Sequence, residues 1–222
     1  VKASYVMDEK CYQQQLQQGS GGGYQKYYFI PIIDNAFINK DLPVMRDIKG
    51  LVVSKVSPVE VDEDVINDGG IKAYKLFSSS DRAWEMKDSI NFNPYLTAPP
   101  ASESDFKSMP LAYLLEGEFT SYFKDKNIPE KELDKSEESG KVDDNSPSEG
   151  KTGSYIIGLK NETNFIPKGS PSKIFVIGSS EILKNYIIDS EGSQPNSVFV
   201  MNILDYLNGR EDTAVMRGKE NS

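Results

Sequence analysis

The chain has 222 residues, with 25 Lys and Arg against 34 Asp and Glu, no His and one Cys. Without His there is no Ser-His-Asp or Cys-His nucleophilic system and no imidazole metal ligand. A single Cys excludes an intrachain disulfide, a Cys-rich zinc site and a CxxC redox pair. The net charge of −9 argues against a nucleic-acid partner, because that affinity rests on neutralising phosphates with Lys and Arg.

The chain opens on Val1 and runs straight into an extended stretch, so it reads as a piece of a longer protein. No stretch reaches the roughly 18–20 consecutive apolar residues of a membrane span. No apolar core of a signal peptide follows Val1-Lys2-Ala3-Ser4. Residues 17–23 (QQGSGGG) form a Gly-rich loop that lacks the lysine and hydroxyl of a P-loop. Tyr27-Tyr28-Phe29-Ile30-Pro31-Ile32-Ile33 is an aromatic and β-branched run that predicts a buried strand. Pro31 removes a ladder donor there and favours an edge or a bulge.

Short strands are expected at 51–53 and 56–61, a turn at Asp68-Gly69-Gly70, and a half-buried strand at 71–76, where apolar and polar residues alternate. Residues 111–123 fit a strand through Leu111, Tyr113 and Leu115, with Gly117 permitting a bulge. Residues 130–153 (EKELDKSEESGKVDDNSPSEGKTG) are too polar to offset their ordering entropy and read as a flexible acidic insertion. Lys173-Ile174-Phe175-Val176-Ile177 is an apolar strand, and a short helix is expected at 181–188. A second helix would begin at an Asn196 N-cap, bury Val200, Ile203, Leu204 and Leu207, and end at Asn208-Gly209. Strand, tight turn and two helices in this order predict an α/β layered sandwich with a mainly parallel sheet.

Several residues are candidates for a site. Ser179 and Ser180 follow Gly178 at a strand's carboxyl end, where open α/β sheets bind ligands and helix N-termini attract anions. The other reading is a capped turn. Ser79, Ser80, Arg82 and Trp84 bring hydroxyls, a guanidinium and the only indole into one short segment, and Arg and Trp are enriched at binding hot spots. The alternative is local capping with Trp84 filling a core. Glu116 and Glu118 flank Gly117 and fall on one strand face, as a glycosidase carboxylate pair could. Asp62-Glu63-Asp64 lacks the ligand spacing of a calcium loop and reads as an acidic turn. Cys11 next to Lys10 is either a reactive thiol or an inert residue.

Four stretches, in order, resemble one family. They are YVMDEKC (5–11), LFSSSDRAW (76–84), AYLLEGEFTSYF (112–123), and a last block that joins KIFVIGSSEIL (173–183) to NSVFVMNILDYLNG (196–209) and VMRGK (215–219). Together they are similar to the GldG-like auxiliary family associated with ABC transporters and bacterial gliding motility. The resemblance implies one extracytoplasmic domain spanning 1–222, periplasmic and anchored to the inner membrane by helices outside this chain. It also implies that a first βαβ portion lies before Val1, with a fold akin to flavodoxin-like and glutamine-amidotransferase-like sandwiches.

Implied partners are an ABC-type permease and ATPase, and a partner protein or extracellular polymer as ligand, with no cofactor, no metal and no enzymatic activity. Family members often carry His-Pro where this chain has Leu42-Pro43, so no histidine role transfers. The alternative function is a carboxylate-dependent extracellular carbohydrate hydrolase.

Overall fold

The computed structural model describes residues 1–16, 22–126 and 165–220. The acidic insertion at 130–153 and most of the Gly-rich loop lie outside the described residues. The chain divides into two units, Val1–Gly117 with Ser172–Ser222, and Glu118–Pro171. In the second unit, Thr120 bridges Lys168, the Gly169 N–H donates to the Phe119 carbonyl at 2.9 Å, and Lys168 pairs with Glu118 at 2.7 Å.

The first unit contains strands β1 (Tyr5–Asp8), β2 (Cys11–Gln15), β3 (Tyr24–Asp34) and β4 (Gly50–Val52), then helix α1 (Glu63–Gly69). Strands β5 (Lys72–Ser78), β6 (Ala83–Met86), β7 (Pro110–Gly117) and β8 (Ser172–Ile177) follow, and helices α2 (Pro195–Leu207) and α3 (Glu211–Glu220) close it. Among the described residues the strands form three sheets, β1-β6, β2-β3-β4 and β5-β7-β8. Every pairing is antiparallel.

The expected mainly parallel, flavodoxin-like sandwich is therefore wrong. A helix that follows a strand makes a parallel pair only if another strand comes after it to join the same sheet. After β8 come only α2 and α3, and α1 links strands of different sheets. At the carboxyl end β8 and α2 form as expected, but no α-helix follows the tight turn directly and no later strand completes a crossover.

Pro31 lies on the central strand β3, opposite the register shift between Cys11 and Tyr12, so its missing donor falls at a bulge. Residues 53–59 form no named strand, yet they tie the sheets together. Val53 and Lys55 donate to the carbonyls of Pro31 and Phe29, the Val56 carbonyl accepts from Val6, and Ser57 donates to Gly178. A Cβ at Gly178 would lie 1.9 Å from the Ser57 carbonyl oxygen, so this crossing of backbones requires glycine. Asp68-Gly69-Gly70 is the end of α1 rather than an isolated turn. Asp62 caps the start of α1 by accepting from the Val65 N–H, and Gly70 closes it with φ 61°.

Helix α2 covers one face of β5-β7-β8. Register puts Tyr74, Leu114 and Phe175 on a common face, and Phe199 meets Phe77 and Phe175 edge to face at 5.7 and 5.9 Å. The buried stripe of α2 is Phe199, Asn202, Ile203 and Tyr206, whereas Leu204 is 53% exposed. Pro195 occupies the first turn after Gln194, so Asn196 lies inside the helix and not at its cap. The expected helix after β8 is a 3-10 turn, Ser180–Leu183. No helix among the described residues is long and apolar enough to cross a membrane.

Candidate functional site

Strand β5 ends at Ser78, the first of three consecutive buried serines, and the chain turns through Asp81 and Arg82 into β6. The turn is held from below by Asp8, which is fully buried at the end of β1. Its carboxylate accepts from the Ser80 N–H at 2.8 Å, the Ser80 hydroxyl at 2.5 Å and the Lys10 N–H at 2.8 Å. Burial pushes the Asp8 carboxyl above its usual range, against the downward pull of those donors. Ser79 is also buried, and its hydroxyl accepts from the Met109 N–H at 2.9 Å and donates to the Ser80 carbonyl. Ser79 and Ser80 thus shape the loop from within.

Arg82 projects from this turn, with 42% of its side chain exposed. It grips Glu9 through Nε at 2.9 Å and Nη2 at 3.2 Å, and pairs with Glu103 through Nη1. Its guanidinium lies 3.8 Å from the Phe106 ring centroid. The Arg82 fork holds the Glu9 carboxyl below its usual range. Trp84 is 6% exposed and packs with Met7 and Phe29, with Tyr28 and Phe106 edge to face at 5.2 and 5.8 Å.

Beside Trp84 opens a depression of about 450 Å³, lined by Glu85, Lys87, Pro100, Ser104, Asp105 and Lys107. Glu85 forms part of its floor. It accepts from the Ser4 hydroxyl at 2.7 Å and lies 3.1 Å from Lys87 and 3.7 Å from Lys107. Burial opposes its ionisation, but Ser4 and Lys87 outweigh that and hold the carboxyl below its usual range. The surface is open and of mixed charge.

At the other candidate turn, Ser179 is buried and Ser180 is exposed. The Ser179 hydroxyl donates to the Ser54 carbonyl at 2.6 Å and accepts from the Glu181 N–H at 3.1 Å. The amino end of α2 is occupied by the chain's own Asp189. This carboxylate accepts from the Ser193 and Gln194 N–H groups at 2.9 and 3.1 Å and from the Ser193 and Ser197 hydroxyls. The Ser197 hydroxyl, with the backbone donors, holds the Asp189 carboxyl far below the usual range.

The other candidates are engaged locally. Glu116 accepts from the Tyr206 hydroxyl, and Glu118 pairs with Lys168. Cys11 is buried, and burial pushes its thiol up to about 11. Among the described residues no cluster of three or more His, Cys, Asp or Glu converges as metal ligands would.

Sequence reasoning missed a polar system inside the α2 core. The Asn196 side-chain amide pairs with the Val52 backbone, accepting at 2.9 Å and donating at 2.7 Å. Asn202 donates to the Val44 carbonyl at 3.0 Å and accepts from Arg217 at 2.6 Å, and Arg217 also donates to Asp205 at 2.6 Å. The available signal was the spacing of Asn196, Asn202 and Asp205, all on the buried side of a helix otherwise lined by Phe199 and Ile203. Polar residues at core positions demand partners, and these hold α3, β4 and the 3-10 turn Pro43–Met45 against α2.

No curated protein and no solved structure matches the chain. The profile of a family described as "ABC-type uncharacterized transport system" matches residues 1–206. That match takes in the Arg82 turn, the Trp84 cluster and nearly all of α2; the chain belongs to this family of auxiliary domains of ABC-type transport systems.

Proposed function

We propose that this domain is a non-enzymatic binding module of its ABC-type transport system. It acts outside the cytoplasm, periplasmic and anchored to the inner membrane through other parts of its protein, beside a permease and an ATPase. Its ligand is a partner protein or an extracellular polymer, and gliding motility is one process it would serve. Family membership supports the transport assignment.

The observation that carries the binding reading is the depression beside Trp84. Arg82, two residues before Trp84, is clamped by two carboxylates and a ring, so the segment that leads to the depression is rigid before anything binds. The floor holds the buried Glu85 carboxylate between two exposed ammonium groups, which suits a polar peptide surface better than an enclosed small molecule. Trp84 lines it, and Arg82 with the buried Ser79 and Ser80 fixes the turn that leads into Trp84. The exposed Ser180 would join the module as a second contact region, with the buried Ser179 holding that turn.

The test is capture of the permease and ATPase of the same system by the immobilised domain. A double variant, Lys87→Ala with Lys107→Ala, should weaken capture by about tenfold and leave the melting temperature nearly unchanged, since both side chains are exposed. Equal capture by wild type and variant would remove the depression as the contact. Release of sugars from surface polysaccharide by the purified domain would overturn the non-enzymatic reading.

A further inference from the structure

The exposed edges of the sheets are closed by different devices. On β4, the outward N–H and C=O of Val52 are both taken by the Asn196 amide. On β5, Asn39 bonds to the carbonyls of Leu76 and Lys75, and two lysines, Lys72 and Lys75, stand exposed along the strand. On β6, the Ala83 carbonyl accepts from the Lys107 N–H at 2.8 Å. Strand β8 follows Pro171 and carries Lys173. Side-chain plugs, prolines and lysines are the usual ways in which a sheet edge is kept from pairing.

Past the register shift between Cys11 and Tyr12, strand β2 has none of these. Tyr12, Gln13, Gln14 and Gln15 are all exposed, uncharged and free of proline, and among the described residues their backbone pairs only with β3. The direction of each residue's backbone groups follows from the register. Leu16 donates to Gly23 of the facing strand at 3.0 Å, so Leu16, Gln14 and Tyr12 turn their N–H and C=O toward β3. Gln13 and Gln15 therefore turn theirs outward. The charge pattern adds a second observation. Residues 11–33 contain no Asp or Glu, and Lys26 is their only charge, in a chain of net charge −9.

We propose that β2 pairs antiparallel with β2 of a second copy of this chain, about a two-fold axis at Gln14. Gln13 of each copy then lies opposite Gln15 of the other. Both carry outward N–H and C=O groups, so the pairing forms four main-chain hydrogen bonds and joins two three-stranded sheets into one of six. No like charges meet along the strand, whereas most of this acidic surface would repel its copy. The contact is small, so the dimer is weak and forms at high concentration. The inference stands independently of the depression beside Trp84.

Sedimentation of the 222-residue chain from about 10 μM to about 1 mM should show reversible, concentration-dependent dimerisation. Gln13→Pro removes one outward N–H without touching the β3 ladder, and should abolish association with circular dichroism and melting unchanged. The register has its own test. The two Gln14 residues would face each other as a non-hydrogen-bonded pair with Cα atoms about 4.5 Å apart, within disulfide range.

Gln14→Cys should form a disulfide-linked dimer under mild oxidation at least about tenfold faster than Gln13→Cys, which faces Gln15 of the second copy. Native Cys11 is buried and does not compete. A chain that stays monomeric throughout, or Gln14→Cys that links no faster than Gln13→Cys, overturns the proposal. Monomeric behaviour combined with protection of β2 by an added transporter subunit would assign the edge to that subunit instead, and also overturns it.

Discussion

The α2 core and the Trp84 cluster solve the same packing problem with different materials. Around α2 the side chains are mostly aliphatic, from Val44, Leu76, Leu111 and Leu114 to Ile203, and polar side chains clasp the backbone from within the core. Around Trp84 the packing is aromatic and edge to face, with Met7 and Phe29 beneath and a charged clamp on the outside. The first arrangement is sealed and tolerates no loss of a partner. The second is closed on one side and opens at its rim into a depression, which is where a binding module can present a rigid surface.

That contrast can be broken in graded steps. Phe199→Ala should cost about 3–5 kcal/mol in urea unfolding, because Phe199 is fully buried between Phe77 and Phe175 and the site cannot collapse around both rings. Asn202→Leu should cost about 1–3 kcal/mol, since it leaves the Val44 carbonyl and an Arg217 N–H without this partner. Should Asn202→Leu prove neutral, the clasps would be incidental to the core.

Arg82→Lys keeps the charge but loses the fork on Glu9 and the stacking on Phe106. It should lower the melting temperature less than Asn202→Leu, and salt should shrink the Arg82→Lys effect but not the Asn202→Leu effect, because the clamp lies at the solvent edge. Near-identical salt dependence of the two variants would erase the distinction between the sealed core and the open rim.

Acid offers a finer test. The folded-state pKa of Asp189 lies below its unfolded value of 3.8, so its stabilising contribution is complete above about pH 4 and is lost as pH falls through the folded pKa. Asp189→Asn should flatten the acid limb of the stability profile below pH 4 and shift the neutral plateau downward. The smallest effect concerns Cys11, whose thiol is buried and pushed up to about 11. It should stay unreactive toward a thiol reagent at pH 8 until the protein unfolds.

Local chemistry was readable where one element decides it. The β3 run with its proline at a bulge, the β5 and β8 strands and the Asn208-Gly209 end of α2 could all be read, because each depends on neighbours in the chain. The alternation expected in β5 gives way to burial of Leu76, Phe77 and Ser78 in succession. The capped turn at Ser179 and the buried Trp84 were among the readings weighed for those motifs. The direction of the strands was not legible, because it depends on which distant segments pair. Helix α1 was hidden, since seven mostly polar residues with Asp62 at the cap look the same as an acidic turn. The Arg82 clamp needed Glu9 and Glu103 from remote segments, and the depression needed residues between 84 and 107 to meet across a loop.

By itself the sequence excluded histidine and disulfide chemistry, placed most strands, and carried the pattern that resembles a transporter-associated family. Composition and short-range periodicity depend on residue identity alone, so they survive without coordinates. Tertiary structure decided that the sheets are antiparallel, that Asn196, Asn202 and Asp205 are core clasps, and that the acid-free β2 strand is an open edge. Those properties arise from pairings between residues far apart in the chain, and loop closure and packing select such pairings only when the whole domain folds.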